Sequence, residues 1–146
     1  MMSRRHVFAV LLNLVMVTAV AAASKNASTP DPQLEQRIHT YMDALKSYDI
    51  YTLYGLESGS IDGTLSANSF RLRMESMPAR VVACEIVNVS RDGDSALAEL
   101  DVSFRYPQFG EPITTTRRVK WQLVKGQWYL NNDAALLNSI APATPR

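Results

Sequence analysis

Two side chains of opposite charge, Glu85 and Arg117, fall where the sequence predicts an otherwise apolar surface. Both belong to runs in which apolar and polar residues alternate, a pattern typical of strands that are buried on one face. A carboxylate and a guanidinium on such a surface would pair with each other or bind a polar group of a ligand. In a functional site, Glu85 would act as acid or base and Arg117 would orient an anion. If the first strand is an edge strand or carries a bulge, Glu85 instead faces water.

Aromatic side chains could complete this site. Tyr41 and Tyr54 lie on the apolar faces of predicted helices, and Trp121 lies on the same predicted strand face as Arg117. A phenol beside a carboxylate in apolar surroundings can donate a hydrogen bond to a ligand. Tyrosines at helical spacing are more often core residues with the hydroxyl at the edge of the core. The candidate ligand pocket therefore comprises Glu85, Arg117, Tyr41, Tyr54 and Trp121.

Other chemistries find no support in the residue pattern. His39 has no second histidine or cysteine at metal-ligand spacing, so we expect no metal. A serine in a glycine-flanked elbow and a glycine-rich phosphate loop are both missing from the sequence, so we assign no catalytic residue and no cofactor. Cys84 is the only cysteine, which excludes a disulfide within the chain and indicates a small buried side chain.

The first two alternating runs predict a β-hairpin that would position Glu85. They span residues 80–90 and 95–106 and meet at Asp92-Gly93, a dipeptide typical of a tight hairpin turn. If the residues that flank this dipeptide are paired, Glu85 lies opposite Leu100 on the apolar face.

The last two alternating runs predict a second hairpin with both tryptophans on the apolar face. The run over 113–124 turns at Lys125-Gly126, which places Leu123 beside Trp128 and Trp121 beside Leu130. The opposite face carries charged, hydroxyl and amide side chains. The four runs therefore predict an antiparallel meander that must cover one apolar face.

The segment before the sheet supplies that cover. Apolar residues recur at helical spacing in three stretches, and residues 57–66 between the last two are predicted as turns. Each stretch follows a residue that can cap it: Asp31 before 32–48, Asp49 before 50–56 and Ser66 before 67–77. The fold class is therefore α+β, with the N-terminal helices packed on a curved antiparallel sheet.

The remaining sequence divides the chain around this single domain. A basic start, an apolar run from Val7 to Val20 and the small residues before Ser24 indicate an export signal. A chain of 146 residues accommodates one cored domain comfortably. The expected division is a signal peptide over 1–23, a flexible tether over 24–30, the domain over 31–133 and a C-terminal tail over 134–146.

The order of elements and the segment from Val119 to Leu130, with its Lys-Gly turn and Trp-Tyr strand, resemble the nuclear transport factor 2-like superfamily. This group of cone-shaped α+β folds includes ketosteroid isomerases, SnoaL-like proteins and uncharacterised exported bacterial domains. The resemblance implies a pocket between the helices and the sheet, and a homodimer formed through the outer sheet face. It implies no particular chemistry, because the same fold carries enzymes and binding modules.

We therefore expect an exported, periplasmic or secreted domain that acts as a non-catalytic module for binding a small apolar ligand or for protein assembly. One alternative is an isomerase or hydrolase of a small apolar substrate that uses the pocket acid. Another is a membrane-tethered component of an envelope complex, which requires that the apolar N-terminal segment is retained. Removal of Arg4 and Arg5 with the signal lowers the formal net charge from +1 to −1, and the charges left are interspersed, so no nucleic-acid surface is predicted.

Overall fold

The computed structural model describes residues 31–131, which form four helices followed by a four-stranded antiparallel sheet in the order β1-β2-β3-β4. The helices are α1 (Pro32–Ser47), α2 (Ile50–Leu56), α3 (Ser58–Asp62) and α4 (Ala67–Glu75). The strands are β1 (Arg80–Asp92), β2 (Ser95–Arg105), β3 (Ile113–Val124) and β4 (Gln127–Leu130). The predicted α+β class is confirmed. The predicted signal peptide, tether and C-terminal tail lie outside the described residues.

The predicted helix caps are confirmed, and they explain where the helices begin. The carboxylate of Asp31 accepts hydrogen bonds from the backbone N–H groups of Gln33 at 3.0 Å and Leu34 at 3.1 Å. Asp49 and Ser66 likewise accept backbone hydrogen bonds in the first turns of α2 and α4. These oxygens satisfy N–H groups that have no partner within the helix.

The segment predicted as turns contains more structure than its sequence indicates. It holds the short helix α3, so the prediction of three helices is wrong by one. Just before α3, Glu57 forms an isolated parallel bridge with Leu130 at the end of β4. This bridge fixes the α2–α3 junction against the sheet, a contact between residues too distant in sequence to leave a local pattern.

The register of β1 and β2 differs from the prediction because β1 contains two extra residues, Val82 and Val87. Between these bulges the pairing is shifted by one residue, and Glu85 lies opposite Asp101 instead of Leu100. A shift of one residue exchanges the two faces of a strand. Glu85 is therefore exposed on the outer face, and its predicted place on the apolar face is wrong.

The first hairpin turn is also displaced by one residue. Asp92 pairs with Ser95, so the turn residues are Gly93 and Asp94, with Gly93 at a φ of +60°. Glycine with positive φ in the first central position is the type II′ arrangement, whereas the prediction placed glycine second.

The second hairpin and the shared position of the tryptophans are confirmed. Lys125 and Gly126 both have positive φ, as a type I′ turn requires, at 49° and 80°. Trp121 pairs with Leu130, and both tryptophans are buried, with at most 1% of their surface exposed.

The helices cover the apolar face of the sheet, as predicted. A large core cluster joins α1 and α2 to all four strands, and a smaller one joins α1, α2 and α4. Tyr41 and Leu45 of α1 pack against both clusters. Within residues 31–131, no helix is long and apolar enough to cross a membrane.

Candidate functional site

A cavity lies between the two core clusters, enclosed by α1, α2 and α4 on one side and by the sheet on the other. The centre of a water molecule can occupy about 60 Å³ of it, several times the roughly 10–15 Å³ that one water needs. Most of its lining is apolar, supplied by Leu45, Leu53, Phe70, Met74, Met77, Val81, Leu100, Val102, Phe104 and Val119.

Three polar side chains line the same cavity: Tyr41 from α1, Glu57 from the α2–α3 junction and Arg117 from β3. Together they supply a carboxylate, a guanidinium and a phenol from three separate elements. A few polar groups in an otherwise apolar concavity are typical of a site that binds a small molecule in one orientation.

Tyr41 is the phenol of this group, and it is held by packing against the sheet. Its ring meets the ring of Trp121 edge-on, with centroids 6.0 Å apart and an interplanar angle of 89°. Burial raises the pKa of Tyr41 far above its usual value, and the nearby carboxylate of Glu57 raises it further, although Arg117 opposes this shift. The phenol therefore stays protonated throughout the neutral range and remains able to donate a hydrogen bond.

Arg117 extends over the apolar wall of the cavity. It lies opposite Leu100 in the β2–β3 register, on the concave face predicted for it. Its guanidinium carbon is 5.3 Å from the centroid of the Phe104 ring, which is within the range of a cation–π contact. This contact and the half-buried position of the side chain restrict the directions from which Arg117 can meet a ligand.

Glu57 is the acid of the cavity, and the sequence did not single it out. It is the only charged residue among residues 31–131 that is buried, with 6% of its surface exposed. Its backbone is fixed on both sides, because its N–H donates to the carbonyl of Tyr54 at 3.1 Å and its carbonyl accepts from Ser60. A Glu between Leu56 and Ser58 reads as a surface turn residue, so only the bridge to β4 explains its burial.

Of the five residues predicted for the pocket, Tyr41 and Arg117 line the cavity. Trp121 is fully buried and supports Tyr41 from behind, outside the lining. Tyr54 also lies outside the lining, since its hydroxyl donates to the backbone carbonyl of Leu65 at 2.9 Å and its ring packs on Phe70. Glu85 lies on the outer face, so an acid of the cavity must be Glu57.

Metal-binding side chains do not converge in the part of the chain that is described. No group of three or more histidine, cysteine, aspartate or glutamate residues there is placed to hold an ion. Cys84 is buried, and burial raises the pKa of its thiol to about 11.

No protein-family model matches this sequence, and no functionally curated protein matches it. Solved structures do match its fold. A SEC-C motif containing protein from Psychrobacter arcticus is 12% identical with a TM-score of 0.54, and the match covers 73% of this chain and 63% of that protein. A protein from Thiobacillus denitrificans, described as a putative calcium/calmodulin-dependent protein kinase type II association domain, is 10% identical with a TM-score of 0.50 and coverages of 70% and 91%.

The similar structures also include a nuclear transport factor 2-like protein of unknown function from Pseudomonas putida. It is 16% identical with a TM-score of 0.49, and the match covers 66% of this chain and 78% of that protein. The predicted arrangement of N-terminal helices packed on an antiparallel sheet is thus shared with solved proteins. At these identities the likeness concerns the fold alone.

Proposed function

We propose that this domain binds a small, mostly apolar molecule in its cavity, with one hydrogen-bonding group of the ligand directed at Glu57, Tyr41 and Arg117. The observation that carries the proposal is that these three side chains, from three separate elements, line the same apolar cavity. The apolar lining would remove the body of the ligand from water, at about 25 cal/mol per Å² of apolar surface buried. The polar side chains would select the ligand and orient it.

A screen with matched carboxylate variants tests this proposal. We expect small molecules with an apolar body and one polar group to raise the melting temperature of the protein. Glu57→Gln should remove much of the increase, because it replaces the buried carboxylate by an amide of the same shape. Glu85→Gln makes the same chemical change on the outer face and should leave the increase intact. Equal behaviour of the two variants would contradict the proposed site.

Catalysis is a second candidate function, and the burial of Glu57 beside a protonated phenol favours it. In the enzyme alternative, Glu57 would exchange a proton with an apolar substrate while Tyr41 donates a hydrogen bond to it. Glu85 cannot take this role because it lies outside the cavity. Turnover of a bound compound that is lost in Glu57→Gln, while the compound still binds, would decide for the enzyme over the binding module.

We also propose that the chain is exported, which rests on its N-terminal sequence pattern. Mass spectrometry of the cellular protein tests this proposal. An N terminus at Ser24 indicates cleavage and export, whereas an intact N terminus in the membrane fraction supports the tethered envelope component instead.

A homodimer through the outer sheet face is a further proposal, derived from the resemblance in fold. That face carries cross-strand polar contacts: Arg118 with Glu99, Thr116 with Asp101 and Ser103 with Thr114. Sedimentation velocity on the wild type and on Thr116→Arg tests it. A dimer in the wild type that the central arginine dissociates supports this face, and a monomeric wild type contradicts it.

A further inference from the structure

One end of the sheet carries an exposed patch of aromatic, aliphatic and basic side chains. We name it the loop tip, and it consists of Arg80, Arg105, Tyr106, Phe109 and Ile113. Phe109 is 51% exposed and Ile113 is 42% exposed, and both arginines are exposed. Single exposed apolar residues are common, but a group at one end of a domain indicates a surface with a partner.

The loop tip is ordered, and a row of aromatic rings joins it to the cavity. The Phe104 ring lines the cavity and lies 6.5 Å from the Tyr106 ring, which meets the Phe109 ring edge-on at 5.8 Å. The N–H of Phe109 also donates to the carbonyl of Tyr106 at 3.2 Å. The exposure of Phe109 is therefore fixed by a turn and by ring packing.

Two positively charged residues are paired at this end of the sheet. Arg80 and Arg105 lie directly opposite each other in the β1–β2 register, an arrangement of like charges that destabilises a sheet. Neither forms an ion pair with any residue of the described range 31–131. Arg80 is held in place, with its guanidinium carbon 3.8 Å from the centroid of the Tyr48 ring. Glu111 in the same loop offsets one of the two charges.

We propose that the loop tip binds the surface of a lipid bilayer that contains anionic headgroups. Phe109 and Ile113 would insert among the headgroups, so that their apolar side chains are removed from water. The two arginines would contact lipid phosphates. An acidic protein surface could pair with the arginines, but it offers no deformable apolar layer for side chains that protrude from a loop. This proposal does not depend on whether the cavity binds a ligand.

Tryptophan fluorescence in the full chain can report on the loop tip alone, because Trp121 and Trp128 are both buried. Phe109→Trp adds an indole at the tip, and Tyr51→Trp adds a control indole on α2, where Tyr51 is 91% exposed. Each variant is mixed with vesicles of equal parts phosphatidylglycerol and phosphatidylcholine that carry brominated acyl chains. Bromine quenches the fluorescence of an indole that enters the bilayer. Binding through the loop tip therefore quenches the indole at position 109 and spares the one at position 51, whereas binding through the N-terminal apolar segment does not select position 109.

We expect quenching at position 109 and little at position 51, with the quenching at 109 reduced by salt and in vesicles of phosphatidylcholine alone. Arg80→Gln with Arg105→Gln should weaken vesicle binding through the tip about 25-fold, from about fivefold per arginine. Equal quenching at both positions would overturn the proposal. So would the absence of quenching at 109 in a protein whose thermal unfolding matches the wild type.

Discussion

Replacement of Asp31 by alanine should destabilise the domain far more than the loss of an ordinary helix cap. One carboxylate oxygen of Asp31 caps α1, and the other accepts the indole N–H of Trp128 at 3.0 Å and the guanidinium of Arg91 at 2.8 Å. The side chain of Asp31 is 16% exposed. It therefore connects the first helix, the first hairpin and the last strand.

The size of the effect follows from these contacts. An N-cap contributes about 1 kcal/mol, and a hydrogen bond from a buried indole to a carboxylate about 2 kcal/mol. The contact with Arg91 adds only about 0.5 kcal/mol, because that side chain is 35% exposed to solvent. Asp31→Ala should thus lower the free energy of unfolding by about 3.5 kcal/mol and the melting temperature by about 14 °C or more.

The control for this variant is Asp49→Ala. Asp49 caps α2 through hydrogen bonds with Thr52 at an exposed site, so its loss should cost about 1 kcal/mol. Urea unfolding followed by circular dichroism measures both variants. Equal losses for Asp31→Ala and Asp49→Ala would refute the assigned role of Asp31 as a connection between three elements.

The same site makes stability depend on pH. Burial acts to raise the pKa of Asp31, but four other groups outweigh burial and lower this pKa. They are the N–H of Leu34, the indole of Trp128, the N–H of Gln33 and the charge of Arg91. The carboxylate therefore stabilises the fold above the usual aspartate pKa of about 3.9, and this stability is lost as the pH falls through the lower folded value. The difference in the free energy of unfolding between the wild type and Asp31→Asn should therefore become smaller as the pH falls below about 3.9.

Three further outcomes follow from the packing. Burial raises the pKa of the Cys84 thiol to about 11, so Cys84 should react slowly with a colorimetric thiol reagent at pH 8 until the protein unfolds. A fast reaction in the folded protein would contradict its burial. Trp128→Phe should cost about 2 kcal/mol more than Trp121→Phe in urea unfolding, because the Trp121 indole N–H has no hydrogen-bond partner among the described residues. Gly126→Ala should cost about 1 kcal/mol for its positive φ, and Gly110→Ala, in open space, clearly less.

The parts of the fold that sequence reasoning identified correctly are those fixed by local chemistry. Asp31 before Pro32 specifies a helix start, and Lys125-Gly126 specifies a turn with two positive φ angles. Alternation then places Trp121 and Trp128 on one face, since nothing interrupts that hairpin.

The errors arose where distant contacts decide the local structure. Val82 and Val87 look like ordinary strand residues, yet each is an extra residue on an edge strand, where bulges are common. The displaced turn shifts the β1–β2 pairing by two residues near the hairpin, and a shift of two keeps each side chain on its predicted face. The bulge at Val87 reduces this shift to one residue, which exchanges the faces. Only the stretch around Glu85 is therefore inverted.

The candidate site was predictable in part for the same reason. Tyr41 and Arg117 follow from helical and strand periodicity, which places both toward the space between helices and sheet. Glu57 does not, because its burial depends on a bridge to Leu130, a residue at the other end of the domain. Local patterns thus identified two polar side chains of the cavity and assigned its acid to the wrong element.

The most direct test of the cavity as a binding site is a methyl NMR titration of the methionines. Met74 and Met77 line the cavity, whereas Met42 is buried outside its lining and serves as the internal control. With a small alcohol such as hexanol, we expect saturable shifts of the Met74 and Met77 methyl signals and an unchanged signal for Met42. Binding should be weaker in Glu57→Gln than in Glu85→Gln. Unchanged Met74 and Met77 signals across a broad set of small amphipathic molecules would contradict the proposed site.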